Sequence, residues 1–370
     1  MSSERPLVVL TSDIPGDLLR DASDKGKIKL RIWKPGKGDE KRTCAPREWV
    51  MDNIQGASAL LIQLQTKVDE ELLQKAGESL KVVSTMSVGY DHIDLEACAK
   101  HHVRLGYTPG VLNEAVADTA LLLTLMVTRH ASTAHRLVVD GEWPSTPMRP
   151  LTLAGPSVQG KTIGFLGFGE IAQCAARRFM AFKPKRIVYT ASKPKPFDPH
   201  SDLFQTLMDD MLTTYYDKHK RFPVEVENIP DLREMAAEAD ILIVIANYTK
   251  STHHAINADV LKNMKKTAYV VNVARGPLID TDALVDALKH DQIAGTGLDV
   301  IEGEPNITPD HAILSEDLKD KVVLLPHIGS ATYEARQGMA RLAELNLLGG
   351  LHLREDGPAD KFDAEITERK

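Results

Sequence analysis

Three polar residues of complementary chemistry each follow an apolar run in the second half of the sequence: Arg275 in VVNVARGPLID, Glu304 in GLDVIEGEP and His327 in VVLLPHIGSAT. Each stands where a buried strand would end, and open α/β sheets bind ligands at the carboxyl ends of their strands. A guanidinium can hold a carboxylate bidentately and polarise a neighbouring carbonyl. An imidazolium within hydrogen-bond reach of that carbonyl oxygen can protonate it. A carboxylate beside the imidazole favours its charged form and fixes its orientation. Singly, each residue also reads as a surface ion pair or a satisfied loop residue. Jointly they suit reduction of a small 2-keto acid, with Arg275 the anchor, His327 the proton donor and Glu304 its support.

Such a reduction needs a hydride carrier, and the stretch KTIGFLGFGEIA, residues 161–172, supplies a place for one. Gly167, Gly169 and Ala172 form a GxGxxA that leaves a strand and opens a helix. The first glycine permits a tight turn, the second lets backbone N–H groups approach a pyrophosphate, and the helix N-terminus stabilises its charge. Phe168, Glu170 and Ile171 complete the expected contact stretch. At the end of the next strand, VYTASKPKP carries no carboxylate to meet a ribose 2′-hydroxyl; Ser192, Lys193 and Lys195 instead suit a 2′-phosphate. NADPH is therefore the expected cofactor, with NAD as the alternative.

Two successive strand and helix rhythms position these groups. Strands are expected at 7–10, 29–32, 59–64 and 81–85, then at 162–166, 186–189, 241–246, 268–273, 293–298 and 322–325. Helical patterns fill the gaps, which implies parallel sheets covered on both faces. Between the two sets, 113–139 reads as one long Ala- and Leu-rich helix, and the Pro- and Gly-rich stretch 141–160 reads as an arm that packs on a second subunit. Residues 194–230 read as a surface insertion with a helix around 203–212, and 333–353 as a last amphipathic helix.

The chain has 370 residues, 43% hydrophobic and 26% charged, enough for about two globular domains. A net charge of −7, with 45 basic residues spread among 52 acidic ones, gives no cationic face for nucleic acid or anionic lipid. Three dispersed cysteines, Cys44, Cys98 and Cys174, form neither a disulfide framework nor a metal-ligand spacing. No signal peptide, membrane span or targeting tripeptide is read, so the expected compartment is the cytoplasm.

The ordered set GFLGFGEIA, VNVARGPLID, GLDV with EGEP, and LLPHIGSAT resembles the D-isomer-specific 2-hydroxyacid dehydrogenases over nearly the whole chain. Within that family STMSVGYDHID, GYTP and PHIGSAT look most like the glyoxylate/hydroxypyruvate reductases. The resemblance implies two doubly wound α/β domains. A Rossmann cofactor domain at 108–331 would be inserted into a discontinuous flavodoxin-like substrate domain of 1–107 plus 332–370, with a dimerisation helix and arm at 113–160. It also implies a homodimer. It gives Arg275, Glu304 and His327 the catalytic roles and Val88 and Gly89 a backbone site for the substrate carboxylate. Asp299 would touch the nicotinamide carboxamide, and Val273, Ala274 and Gly329 would line the cofactor. Other 2-keto acid or phosphoglycerate dehydrogenases, and dinucleotide-sensing corepressors, share this pattern. Departures include Glu170 where this subgroup often has Arg, and Ser145 and Thr146 after Trp143 where it has a second Trp. A third is the long insertion after Pro196.

Overall fold

The computed structural model describes residues 5–39, 42–193, 197, 200 and 207–367, with residues 207–209 described by their backbone alone. The chain divides into two compact units, one of residues 1–112 with 331–370 and the other of 113–330.

The first unit is built on five parallel strands: β1 (Leu7–Leu10), β2 (Lys29–Ile32), β3 (Ala59–Ile62), β4 (Val82–Thr85) and β5 (Arg104–Gly106), in the order β2-β1-β3-β4-β5. That is the flavodoxin-like order. β3 and β4 are buried along their whole length; β3 reads as a continuous apolar run, ALLI, rather than as an alternation, while β4 ends on the buried polar Ser84 and Thr85. β5 escapes sequence reading because it has three residues and its RLG carries one large apolar side chain. The helix Tyr333–Gly350 returns to this sheet and packs on β3, β4 and β5. Gly350 allows the close approach, since a Cβ there would stand 2.5 Å from the Cβ of Val82. On the same helix the buried Glu344 accepts from the N–H groups of Leu18 and Leu19, at 3.3 and 3.2 Å, and so caps the helix Leu18–Asp24.

The second unit carries seven parallel strands: β6 (Thr162–Leu166), β7 (Arg186–Thr190), β8 (Glu225–Asn228), β9 (Ile241–Val244), β10 (Tyr269–Asn272), β11 (Gly295–Leu298) and β12 (Val322–Leu324). Their order, β12-β11-β10-β9-β6-β7-β8, reverses direction between β6 and β9, the switch point where doubly wound sheets open a crevice. The helix Asn113–Thr128 packs on β10, β11 and β12 and on the helix Glu170–Met180.

Two elements differ from expectation. The helix read as continuous over 113–139 is two helices, Asn113–Thr128 and Ala131–Val139, parted at His130, whose φ of 50° is left-handed. The arm is folded against this break: a Cβ on Gly155 would stand 1.8 Å from the Thr128 carbonyl oxygen. The insertion contains β8, an edge strand whose EVEN alternates exposed and half-buried residues, and a helix at Leu207–His219. Of the helix read at 203–212, residues 203–206 lie outside the described residues. Phe197 and Phe222 of the insertion pack on each other at 4.7 Å between ring centroids, and Phe197 reaches Phe168 of the glycine motif at 6.1 Å.

Candidate active site

Arg275 begins a turn that β10 and a buried amide build together. Asn272, the last residue of β10, is fully buried; its Nδ2 donates to the Arg275 carbonyl at 2.9 Å and its Oδ1 accepts from Ala274 N–H at 3.0 Å. Val273 and Ala274 are thereby set in a fixed turn, and the Arg275 Nη1 donates to the Ala274 carbonyl at 2.9 Å. Gly276 follows for a packing reason. A Cβ there would stand 2.1 Å from the carbonyl carbon of Ile301, so the Arg275 turn and the 301–304 turn lie backbone against backbone.

Asp299, directly after β11, is the brace for the histidine. Its N–H donates to the Asn272 carbonyl at 2.9 Å, and its carbonyl accepts from His327 N–H at 2.9 Å. Its two carboxylate oxygens accept from Ile328 and Gly329 N–H at 2.7 and 2.8 Å. Burial pushes the Asp299 carboxyl above the usual carboxylate range, against the pull of those two N–H groups. Gly329 leaves room for it, since a Cβ at 329 would stand 2.8 Å from Asp299 Oδ2.

Glu304 and His327 meet directly. His327 Nδ1 lies 2.7 Å from Glu304 Oε1, while Glu304 Oε2 accepts from Ile301 N–H at 3.2 Å, so the carboxylate is fixed from behind as it faces the ring. His327 adopts φ 54°, a left-handed conformation uncommon outside glycine, held by the bonds of its N–H to Asp299 and Leu325. Both side chains remain about one-third exposed, so the pair is reachable by a ligand. Strands β10, β11 and β12 are neighbours in the sheet, which is how residues from three distant stretches arrive at one end of it.

The glycine motif joins β6 to the helix Glu170–Met180. Gly167 has φ +89°, and a Cβ there would stand 2.7 Å from the Ile245 carbonyl oxygen. Gly169 N-caps the helix, and nothing lies within 4 Å of the place where its Cβ would be, so the helix N-terminus opens onto free space. This cradle fits a pyrophosphate. Phe168 is buried and stacks on Tyr189 at 4.0 Å, locking the loop to β7. Glu170 is engaged by Asn113, whose Nδ2 donates to it at 3.0 Å, and Ile171 lies beside it, half-buried in the first turn. Ser192 and Lys193 are exposed in the bend after β7, while Lys195 lies outside the described residues.

Val88 and Gly89 belong to the first unit, in the loop after β4. Thr85 Oγ1 lies 2.7 Å from Ser87 Oγ and 3.0 Å from His92 Nε2, and Ser87 Oγ donates to the Gly89 carbonyl at 2.7 Å. The loop conformation is thus set by side chains that sequence reading passed over. Asn272 and Asn113 were missed in the same way. Asn272 carried a signal, an amide at the end of an apolar strand just before a turn; Asn113 carried none.

A family model, the D-isomer specific 2-hydroxyacid dehydrogenase NAD binding domain, matches residues 121–214 and 208–329. A glyoxylate reductase of Thermofilum pendens is 39% identical over 354 residues, 94% of this chain and 92% of that one. A glyoxylate reductase/hydroxypyruvate reductase of Mus musculus is 37% identical over 83% of this chain and 84% of its own. The crystal structure of an NADPH-dependent glyoxylate/hydroxypyruvate reductase from Sinorhizobium meliloti, in complex with NADP and malonate, superposes with a TM-score of 0.75. Its identity is 29%, and 99% of this chain and 98% of that one are covered. Two parallel α/β sheets, a glycine-turn cradle and the sequence matches agree: this chain belongs to the D-isomer specific 2-hydroxyacid dehydrogenases and is a nicotinamide-dinucleotide-dependent dehydrogenase.

Proposed function

We propose that this enzyme reduces small 2-keto acids, glyoxylate and hydroxypyruvate first among them, to D-2-hydroxy acids, with NADPH as the preferred donor. The observation that carries the reading is the 2.7 Å contact of His327 Nδ1 with Glu304 Oε1. With Nδ1 committed to the carboxylate, Nε2 is the nitrogen that gives its proton to the substrate oxygen. When bound, the dinucleotide supplies a hydride to C2 of the substrate. Arg275 holds the substrate carboxylate and polarises the keto oxygen, and Val88 and Gly89 are proposed as substrate-binding backbone donors of the first unit. The product carries the new C–H bond and the proton from His327, and His327 is then recharged from solvent.

In this reading residues 108–331 form the cofactor domain, and 1–107 with 332–370 the substrate domain. Gly167 to Ile171 receive the pyrophosphate, and Val273, Ala274, Asp299 and Gly329 line the nicotinamide half. Both Asp299 oxygens already accept backbone N–H groups, so a carboxamide would use their remaining lone pairs. Homodimer formation is supported by large apolar side chains left exposed along 122–151, among them Val139 at 68% and Leu151 at 83%. No helix among the described residues is long and apolar enough to cross a membrane.

Initial rates for glyoxylate, hydroxypyruvate, pyruvate and phosphohydroxypyruvate, each with NADPH and with NADH, test the assignment. The two smaller reductase substrates with NADPH are expected to give the highest kcat/KM. Faster turnover of phosphohydroxypyruvate would overturn the substrate choice. Ser192 and Lys193 are expected to carry the cofactor preference, since residues 191–196, directly after β7, include no acidic residue to repel a 2′-phosphate. Their joint replacement by Ala should raise KM for NADPH roughly tenfold or more, the scale of a charge-assisted hydrogen bond, and leave KM for NADH nearly unchanged. Equal losses with both cofactors would remove them from the phosphate site.

A further inference from the structure

We propose that His253, His254 and Glu302 form a binding site for a divalent transition-metal ion of the zinc class, distinct from the residues assigned to hydride and proton transfer. One ring nitrogen of each histidine and one carboxylate oxygen of Glu302 lie within 4.8 Å of one another. Among the described residues no other trio of histidine, cysteine or carboxylate side chains converges in this way. His253 and His254 lie in the turn segment that follows β9, and Glu302 lies in the turn after β11.

The parts of the site are held by rigid neighbours. His254 N–H donates to the Pro277 carbonyl at 2.8 Å, Ile256 N–H to Leu278 at 3.0 Å, and Asp280 N–H back to Ile256 at 2.9 Å. The Gly276 contact described above fixes the backbone at Ile301 and Glu302 against the same segment. His254 Nε2 is 3.1 Å from Glu302 Oε2, and on the far side of the ring Asp280 Oδ2 lies 3.9 Å from Nδ1. Tyr248 places its hydroxyl 3.4 Å from His253 Nδ1. Outer oxygen partners of this kind orient coordinating imidazoles and raise their basicity.

An ion pair between His254 and Glu302 accounts for two of the three residues. It gives no reason for a second imidazole stacked on the first with ring centroids 3.8 Å apart. Two imidazoles and a carboxylate form the donor set that borderline-soft cations take. Magnesium and calcium demand oxygen ligands and are excluded by the two nitrogens. The side chains of His254 and Glu302 are 33% and 37% exposed, so an ion reaches the site from solvent and keeps a position for water. Binding of one ion requires the exposed His253 to rotate so that the three ligand atoms, now within 4.8 Å of one another, close around it.

Isothermal titration of the chelator-treated, tag-free full chain with zinc tests the site. One ion per chain with a dissociation constant in the micromolar range or tighter is expected, with no binding of magnesium. His253→Ala and Glu302→Gln should each weaken zinc binding about tenfold or more, because loss of even an outer partner costs about 10–100-fold. Zinc should also raise the Tm of the unsubstituted protein and shift the variants less. Circular dichroism of the metal-free variants checks their fold; if one is unfolded, the other decides. Absence of zinc binding in that range, or variants that bind as tightly as the parent, would overturn the proposal.

Discussion

Replacement of His327 by Ala is expected to lower kcat by roughly two to four orders of magnitude, the usual scale of general acid catalysis. The loss should fall on turnover rather than on cofactor affinity, because the glycine cradle at Gly167 and Gly169 is built from β6 and its helix and does not use the imidazole. Glu304 would keep its hold on Ile301 N–H, so the 301–304 turn should survive the truncation. Added imidazole should recover part of the rate by filling the space left beside Glu304. Cofactor binding followed by nicotinamide fluorescence separates a chemical defect from misfolding. Near-normal kcat in a folded, cofactor-binding variant would remove His327 from proton transfer.

Arg275→Lys tests the anchor. The expected loss in kcat/KM is roughly one to two orders of magnitude, from the 1.5–3 kcal/mol scale of a hydrogen bond to a charged group. Charge is conserved in this change, so a purely electrostatic role predicts a small effect; a planar fork that grips carboxylate and orients the keto group predicts a large one. A substrate analogue without the carboxylate makes the comparison sharper. Its residual rate should respond little to Arg275→Lys, whereas glyoxylate should respond strongly. Unchanged kinetics for the keto acid would exclude bidentate anchoring.

The sequence made the sheet cores and the cradle legible because both depend on local pattern. Continuous apolar runs such as ALLI at β3 and ILIV at β9 announce strands covered on two faces. Gly167 stands out because its backbone conformation and its neighbours both reject a side chain. Strand β8 was hidden, since an edge strand of alternating charge carries little apolar signal. The break at His130 was hidden for another reason: a single residue in the left-handed region parts the two helices, and the arm packs beside it, with Gly155 against the Thr128 carbonyl. At the site, Arg275, Glu304 and His327 were visible as polar residues after apolar strands. The network that holds them was legible only as the amide of Asn272 after its strand, because its Nδ2 donates to the main-chain carbonyl of Arg275, and a carbonyl leaves no mark on residue type.

The Asp299 brace links the chemistry of two strands to one buried group. Its peptide N–H is tied to the β10 terminus, its peptide oxygen to the histidine and its carboxylate to the two residues beyond. Arg275 and His327 are therefore not independent appendages but two ends of a single polar truss. Injury to that truss should move both ends at once, so substitutions at Arg275 and His327 should interact non-additively with one at Asp299. Side chains that share none of these bonds are free to change without loosening the frame.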